Sequence, residues 1–290
     1  MVSKDRKVLV SIIVCSRNKK ISPILSNNLN STIGDIDYEI VWIDNSSNQY
    51  SIFEAYNLGV EKSKGEYLCF MHEDISFHSN NWGGVIVNIF KEKSIGLIGV
   101  IGGYYISKYS TDWYSSHITK GKIIQGRSNI RPYQSKLFDV NNYDYGPYVA
   151  AVDGLWMCIP KRLFIEDKIH WDNKTYKGFH LYDFDMCMQI NSQGYKIQIA
   201  NNILIEHKSA GNPNKIFYEN CILFHEKWNS QLPFASSPQI KKEDIENYEL
   251  NIFKGICTYT LLYKEQQQIL NQPLHKLVSK ITLLWQKWIK

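Results

Sequence analysis

The sequence predicts an α/β chain built on a parallel, Rossmann-like sheet and followed by a C-terminal helical extension. Three observations predict it. Through residues 7–103, continuous apolar, β-branched runs alternate with helix-patterned segments, as expected of strands buried on both faces and joined by helical crossovers. The runs stop abruptly in polar residues, with Arg17, Asp44 and Asp74 at or just past their ends. Beyond residue 240 the pattern is mostly helical.

The elements follow in order. KVLVSIIVC (7–15) reads as the first strand, and polar SRNKK precedes a helix near 21–30. YEIVWID (38–44) is the second strand. Residues 51–63 place Ile52, Phe53, Ala55, Tyr56 and Val60 on one side of a helix. GEYLCFM (65–71) is the third strand, WGGVIVNIFKEK another helix, and IGLIGVIGG (95–103) a fourth strand. Residues 104–148 are rich in tyrosine and serine and lack a period, which suits a substrate-facing insertion or lid. Regularity returns with YVAAVDGLWMCIPKRLF. A helix over 183–193 ends at Gly194, a good C′ glycine, and a strand over 195–200 follows. Segment 229–240 reads as a linker.

Composition excludes several classes. With 290 residues, 44% hydrophobic and 21% charged, the chain has the make-up of a soluble globular protein. No apolar run reaches the roughly 18 residues of a spanning helix, and the N-terminus reads as a strand, not a signal peptide. The six cysteines form no CxxC pair, consistent with buried thiols in a reducing cytoplasm. Of the net charge of +5, four units come from Lys276, Lys280, Lys287 and Lys290, with no acid in 274–290. The remainder is nearly neutral, which argues against a nucleic-acid-binding body.

The stretch LCFMHEDISFH ends a buried strand in His72, Glu73 and Asp74. Adjacent anions there call for a metal, an arginine or plain solvation. The triplet is not an HExxH zinc motif. The preceding strand ends carry Arg17 with Asn18, and Asp44 with Asn45 and Ser46. Such a mixture suits a nucleotide diphosphate, which needs acceptors for base and ribose and a hard cation for the diphosphate.

These blocks (SIIVCSRN, EIVWIDNSS and EAYNLGVEKSKGEYLCFMHEDI) resemble the N-terminal half of a GT-A glycosyltransferase of the family 2 type. VDGLWMCIPKRLF and IHWDNKTYKGFHLYDFDMCMQINSQGYKI resemble its acceptor-side half, closer to a bacterial subgroup whose metal motif reads HED. The resemblance covers about residues 8–210. It implies a GT-A domain over 1–228, with a nucleotide half of about 1–103 and an acceptor half of about 104–228, then a linker and helical extension over 229–290. In the family a DxD-like motif holds a divalent metal on the sugar nucleotide. Here its positions read His72, Glu73 and Asp74, so the first aspartate is a histidine and the last is kept. Asp74 is the implied ligand of Mg²⁺ or Mn²⁺; His72 is a ligand, a diphosphate contact or structural. Ser16, Arg17, Asp44, Asn57, Glu73, Asp153 and Gly154 are the implied donor-binding residues, with Asp44 on base or ribose. The family's Glu-Asp pair, which supplies the general base, reads Tyr182-Asp183 here.

The chemistry is consistent with this. Inverting transfer needs one carboxylate to take the acceptor proton and a cation to stabilise the leaving diphosphate. Asp183 is expected to be that base; Asp185, before buried-looking MCMQI, reads as a helix N-terminal charge. His207, after the run LIEH, is either a satisfied histidine or the late metal ligand found in many such enzymes. Gly154 allows close approach of a donor sugar or only a turn. Trp113, Trp171 and His180 are candidates for sugar stacking, Trp171 equally for the core.

The tail sets Leu274, Leu277, Val278, Ile281, Leu284, Trp285 and Trp288 at helical spacing with the lysines mostly opposite. It suits a membrane-surface helix, or one docked on the body or on a second subunit. The expected protein is a cytoplasmic glycosyltransferase, or one peripheral on the inner membrane face. It would move sugar from a nucleotide-diphosphate donor to a glycan or lipid-linked acceptor, with no nucleic-acid partner. The rivals are an inactive sugar-nucleotide- or glycan-binding module and a metal-dependent hydrolase built on His72, Asp74 and His207.

Overall fold

The computed structural model describes residues 8–111, 119–126, 146–209, 213–236 and 240–272. Trp113 and the 274–290 tail lie outside them. The elements run β1 (Val10–Ser16), α1 (Pro23–Thr32), β2 (Tyr38–Asp44), α2 (Ile52–Lys62), β3 (Tyr67–Met71), β4 (Ile75–Phe77), α3 (Trp82–Ile89) and β5 (Ile95–Gly99). Five short strands follow: β6 (Ile101–Gly103), β7 (Tyr105–Ile106), β8 (Thr119–Gly121), β9 (Ile123–Gln125) and β10 (Tyr148–Val149). Then come β11 (Ala151–Val152), β12 (Trp156–Pro160), α4 (Lys161–Ile165), α5 (Tyr182–Ser192), β13 (Lys196–Ile199) and β14 (Ile205–His207). The chain ends with α6 (Lys215–Trp228), β15 (Phe234–Ala235) and α7 (Lys242–Leu270).

Local sequence explains the helix starts. Ser22 accepts from the Leu25 N–H with Pro23 next to it, so α1 begins there. Ser51 and Glu54 form a reciprocal capping box that starts α2. Asn214 caps α6 through the Phe217 N–H.

The main sheet has seven strands in the order β10-β13-β5-β12-β3-β1-β2. It is mixed, which corrects the expectation of a parallel sheet. β1 pairs parallel with β2 and β3, and β13 with β5, but β12 runs antiparallel between β3 and β5. A parallel neighbour needs a crossover, usually helical. β12 instead follows β11, which lies in a different sheet, so its direction is not constrained that way. The expected 95–103 strand also divides. It breaks at Val100 into β5 and β6, which lie in different sheets. Gly102 lets β11 cross so closely that a Cβ there would collide with the Ala151 carbonyl. A three-stranded sheet, β4-β14-β9, caps the carboxyl end of β3.

Both faces of the main sheet are buried. On one, Tyr56, Phe70 and Trp171 meet with ring centroids 4.7–5.0 Å apart. On the other, Phe77 stacks on Trp82 at 4.3 Å.

The chain divides into two units, Met1–Ile240 and Lys241–Lys290. The first runs past the segment expected to be a linker: Leu232 is buried, and β15 pairs with β7. In the second, α7 is a 29-residue helix carrying exposed Phe253, Ile256, Tyr259 and Leu262. Among the described residues no helix is long and apolar enough to cross a membrane.

Candidate active site

The register of β1, β2 and β3 sets their carboxyl ends level. Ser16 pairs with Asp44 and Val14 with Met71, so the residues that follow share one edge of the sheet. Glu73 turns toward β1. Its carboxylate accepts from the Ser16 hydroxyl, the Arg17 N–H (3.2 Å) and the Asn18 side-chain amide (3.0 Å). Ser16 in turn accepts from the Asn18 N–H. Ser16 and Glu73 thus shape the loop after β1 and leave Arg17 exposed on it. Trp42 closes the side of this loop by donating Nε1–H to the Asn18 carbonyl at 2.9 Å. Asp44 is exposed, and the hydrogen bond from the Ser46 N–H (2.9 Å) holds its carboxyl below the usual range.

β3 ends at Met71, and β4 begins at Ile75, so His72, Glu73 and Asp74 form the connection between sheets. β14 pairs antiparallel with β4, with His207 opposite Ile75. That register delivers His207 to the triplet. His207 Nε2 lies 3.3 Å from His72 Nδ1 and 3.6 Å from Asp74 Oδ1. One ligand atom from each of the three lies within 4.8 Å of the others. Donors around a metal bonded at 2.0–2.3 Å stand about 3–3.5 Å apart, close to the separations of His207 from its two partners, so these three residues could hold a divalent cation. The protonation states suit it too. Burial and the neighbouring His207 push His72 down, toward the neutral imidazole that ligates. Burial raises Asp74, but the hydrogen bond from Ser209 and both imidazoles outweigh it, so the carboxyl stays below its ordinary value and ionised.

Asp183 stands in the first turn of α5, which starts after Leu181 in the left-handed region (φ 66°). Its Oδ2 accepts from the Gly154 N–H at 3.1 Å and its Oδ1 from the Phe184 N–H at 2.9 Å. Burial and the nearby Asp153 raise it to about 7 despite these bonds. A carboxylate that exchanges its proton near neutrality suits general base chemistry. The structure therefore brings Asp153, Gly154 and Asp183 together and sets His72, Asp74 and His207 beside them, because the Tyr182 hydroxyl lies 2.7 Å from His72 Nε2.

Other expected residues sit differently. Asn57 is committed elsewhere: its amide pairs with both main-chain groups of Trp171, at 2.7 and 3.1 Å. Trp171 is 1% exposed, a core anchor and not a stacking surface. Gly154 is required by this chain's own side chain, since a Cβ there would fall on the Tyr182 hydroxyl. Asp185 is buried and accepts from Tyr176, Lys227, Trp228 and Gln189. It is a structural carboxylate, as its surroundings predict. His180 is half-buried and set edge-on to Phe217, with its backbone carbonyl held by Asn220. Sequence reading assigned no role to Tyr182, the residue joining the two clusters. Its partner His72 lies 110 positions away, so nothing in the local sequence signals the contact.

Residues 11–221 match the model of a family described as a glycosyltransferase-like family, which is more than half of the chain. The chain belongs to that family. Its mixed α/β sheet matches GT-A glycosyltransferase structures, and family and fold together support a transferase. The glycosyltransferase-like chain is similar to GalNAc-T7 in a crystal structure with UDP, GalNAc and Mn²⁺. Identity is 12%, coverage 77% of this chain and 49% of the other, and the TM-score 0.50. It thus spans about half the length of that structure. The 1–349 portion of S. aureus TarS is also similar, at 12% identity, 84% and 70% coverage and TM-score 0.47. No curated protein matches the glycosyltransferase-like chain.

Proposed function

We propose that this protein is a metal-dependent, inverting glycosyltransferase that moves sugar from a nucleotide-diphosphate donor to a glycan or lipid-linked glycan acceptor. The observation that carries the reading is the convergence of His72, Asp74 and His207 on one point, at the strand edge where Arg17 and Asp44 also lie. A divalent cation held there would supply Lewis-acid neutralisation of the leaving diphosphate. Two imidazole nitrogens and one carboxylate suit Mn²⁺ better than Mg²⁺, which prefers all-oxygen shells. The fold neighbour GalNAc-T7 is recorded with UDP, GalNAc and Mn²⁺, ligands of the classes this reading gives the chain.

The chain's own residues would do the rest. Glu73 holds the loop after β1 so that Arg17 and Asp44 can receive the nucleotide. Asp183, fixed by the Gly154 and Phe184 N–H groups, takes the proton of the acceptor hydroxyl as its oxygen attacks the anomeric carbon. Asp153 favours that transfer by raising the basicity of Asp183. The setting would be surface polysaccharide assembly at the cytoplasmic membrane face.

The test is a binding panel of UDP-, GDP-, dTDP- and CMP-sugars, each with and without Mn²⁺, on the wild type and Asp74→Ala. Selective, Mn²⁺-dependent binding of one diphosphate sugar, lost in the variant, is expected. The CMP-sugar, a monophosphate, serves as the control. Binding of none of them would overturn the reading.

A further inference from the structure

We infer that Tyr182 is a positioning residue that fixes the ring of His72 for metal binding, an inference that rests on the metal reading above. The tyrosine is buried, and its hydroxyl lies 2.7 Å from His72 Nε2. The other ring nitrogen, Nδ1, is the one that faces His207 and the convergence point. A neutral imidazole carries one proton, and a nitrogen that ligates a metal cannot hold it. Nε2–H must therefore donate to the Tyr182 oxygen, leaving the Nδ1 lone pair for the metal. A tyrosine hydroxyl has a lone pair free to accept this bond and adds no charge.

The surroundings are built for this contact. The ring of Tyr182 packs edge-on against Tyr56 (5.7 Å) and Phe53 (6.4 Å), which fixes its direction. Gly154 supplies the room for the hydroxyl, since any larger residue would occupy its place. The same Gly154 donates its N–H to Asp183. Two consecutive residues of α5 thus hold the two ends of the chemistry: Tyr182 orients a metal ligand, and Asp183 is the base.

The experiment is a Mn²⁺ titration followed by electron paramagnetic resonance, with Mn²⁺ alone and with Mn²⁺ plus UDP or GDP, on the wild type and Tyr182→Phe. The substitution removes one oxygen and keeps the ring packing. Partners that orient metal-bound histidines are worth about 10- to 100-fold in metal affinity, and a loss of that size is expected. A merely structural hydroxyl would lower the melting temperature without moving the Mn²⁺ Kd, and equal Kd values in a folded variant would overturn the inference. A wild type that binds no Mn²⁺ under either condition would overturn the metal reading itself. Imidazole ¹⁵N NMR of the Zn²⁺-loaded wild type gives a second readout, independent of any variant's folding. A proton on His72 Nε2 is expected, and one on Nδ1 would overturn the inference.

Discussion

Nε2 of His207 lies 3.6 Å from Oδ1 of Asp74, and the antiparallel pairing of β14 with β4 brings them there. The Lys208 N–H donates to the Asp74 carbonyl (3.3 Å) and the Ser209 N–H to its carboxylate (3.2 Å), so both residues are held from the backbone. Removing either should abolish metal binding with little effect on folding without metal. Mn²⁺ at about 100 times its Kd should stabilise the wild type by about 2.7 kcal/mol through linkage. A melting curve would then shift upward by several degrees, whereas Asp74→Ala and His207→Ala should show no shift. Activity of either variant should fall about 10²- to 10³-fold. An undiminished Mn²⁺ shift in His207→Ala would remove that residue from the ligand set.

The Asp183 carboxyl sets a pH dependence of definite sign. It titrates near 7 in the folded chain, and only the ionised form can take a proton. The kcat/KM of the enzyme should therefore fall as pH drops through about 7. Asp153 contributes to the upward shift, so Asp153→Asn should move this acid limb to lower pH. Asp183→Asn should eliminate the limb and lower kcat/KM by about 10²- to 10⁴-fold. For stability the sign is opposite to that of an ordinary carboxylate. The folded state keeps a proton that the unfolded chain releases, so this site's contribution declines as pH rises from about 4 toward 7. An acid limb that Asp153→Asn leaves in place would sink the electrostatic account.

The nucleotide-side strands were legible because each is a short apolar run stopped by a polar residue. β2 spans Tyr38–Asp44, both ends as read from YEIVWID. Asp74, Asp183 and His207 were read as candidates for a different reason, since they fall at positions of a family pattern, and the structure sets them near one another. Sheet direction was not legible, because burial of β12 on both faces looks the same whether it runs parallel or antiparallel to β3. Asn57 misled for a related cause. An asparagine beside a predicted site looks like a ligand contact, and only the fold shows that the Trp171 backbone already uses its amide. The role of Tyr182 depends on a partner 110 positions away, and no local pattern encodes that.

Lys227 should carry much of the stability of the packing between α5 and α6. It bonds Asp185 at 2.7 Å and Asp172 at 2.8 Å, and the Asp185 side chain is only 2% exposed. The pair ties α6 to α5 and to the segment before it. Lys227→Met would leave a buried carboxylate without its cation, a change that costs about 3 kcal/mol in comparable buried pairs. Burial raises Asp172, but the Lys227 hydrogen bond and charge outweigh it and hold the carboxyl well below its usual range. A depressed carboxyl contributes stability above its unfolded value of about 4 and loses it as pH falls further. The gap between wild type and Lys227→Met in urea melts should thus be wide at pH 7 and narrow below about pH 4. A gap that does not change with pH would mean the lysine acts by packing alone.

The end of the first unit makes the last prediction. Leu232 is buried, β15 pairs with β7, and the Ser236 N–H donates to the Tyr104 carbonyl at 2.9 Å. A chain cut after residue 228 loses all three and exposes the apolar surface of Tyr105 and Ile106. Burying one leucine is worth about 1.5–3 kcal/mol, so with the strand pairing the loss should be about 3 kcal/mol. A chain cut after residue 240 keeps these contacts and should match the full-length protein in the stability of its first unit. Urea unfolding of the two truncations would separate the boundaries. Equal midpoints would place the end of the catalytic domain at 228, as the sequence pattern alone suggests; a lower midpoint for the shorter chain would place it near 240.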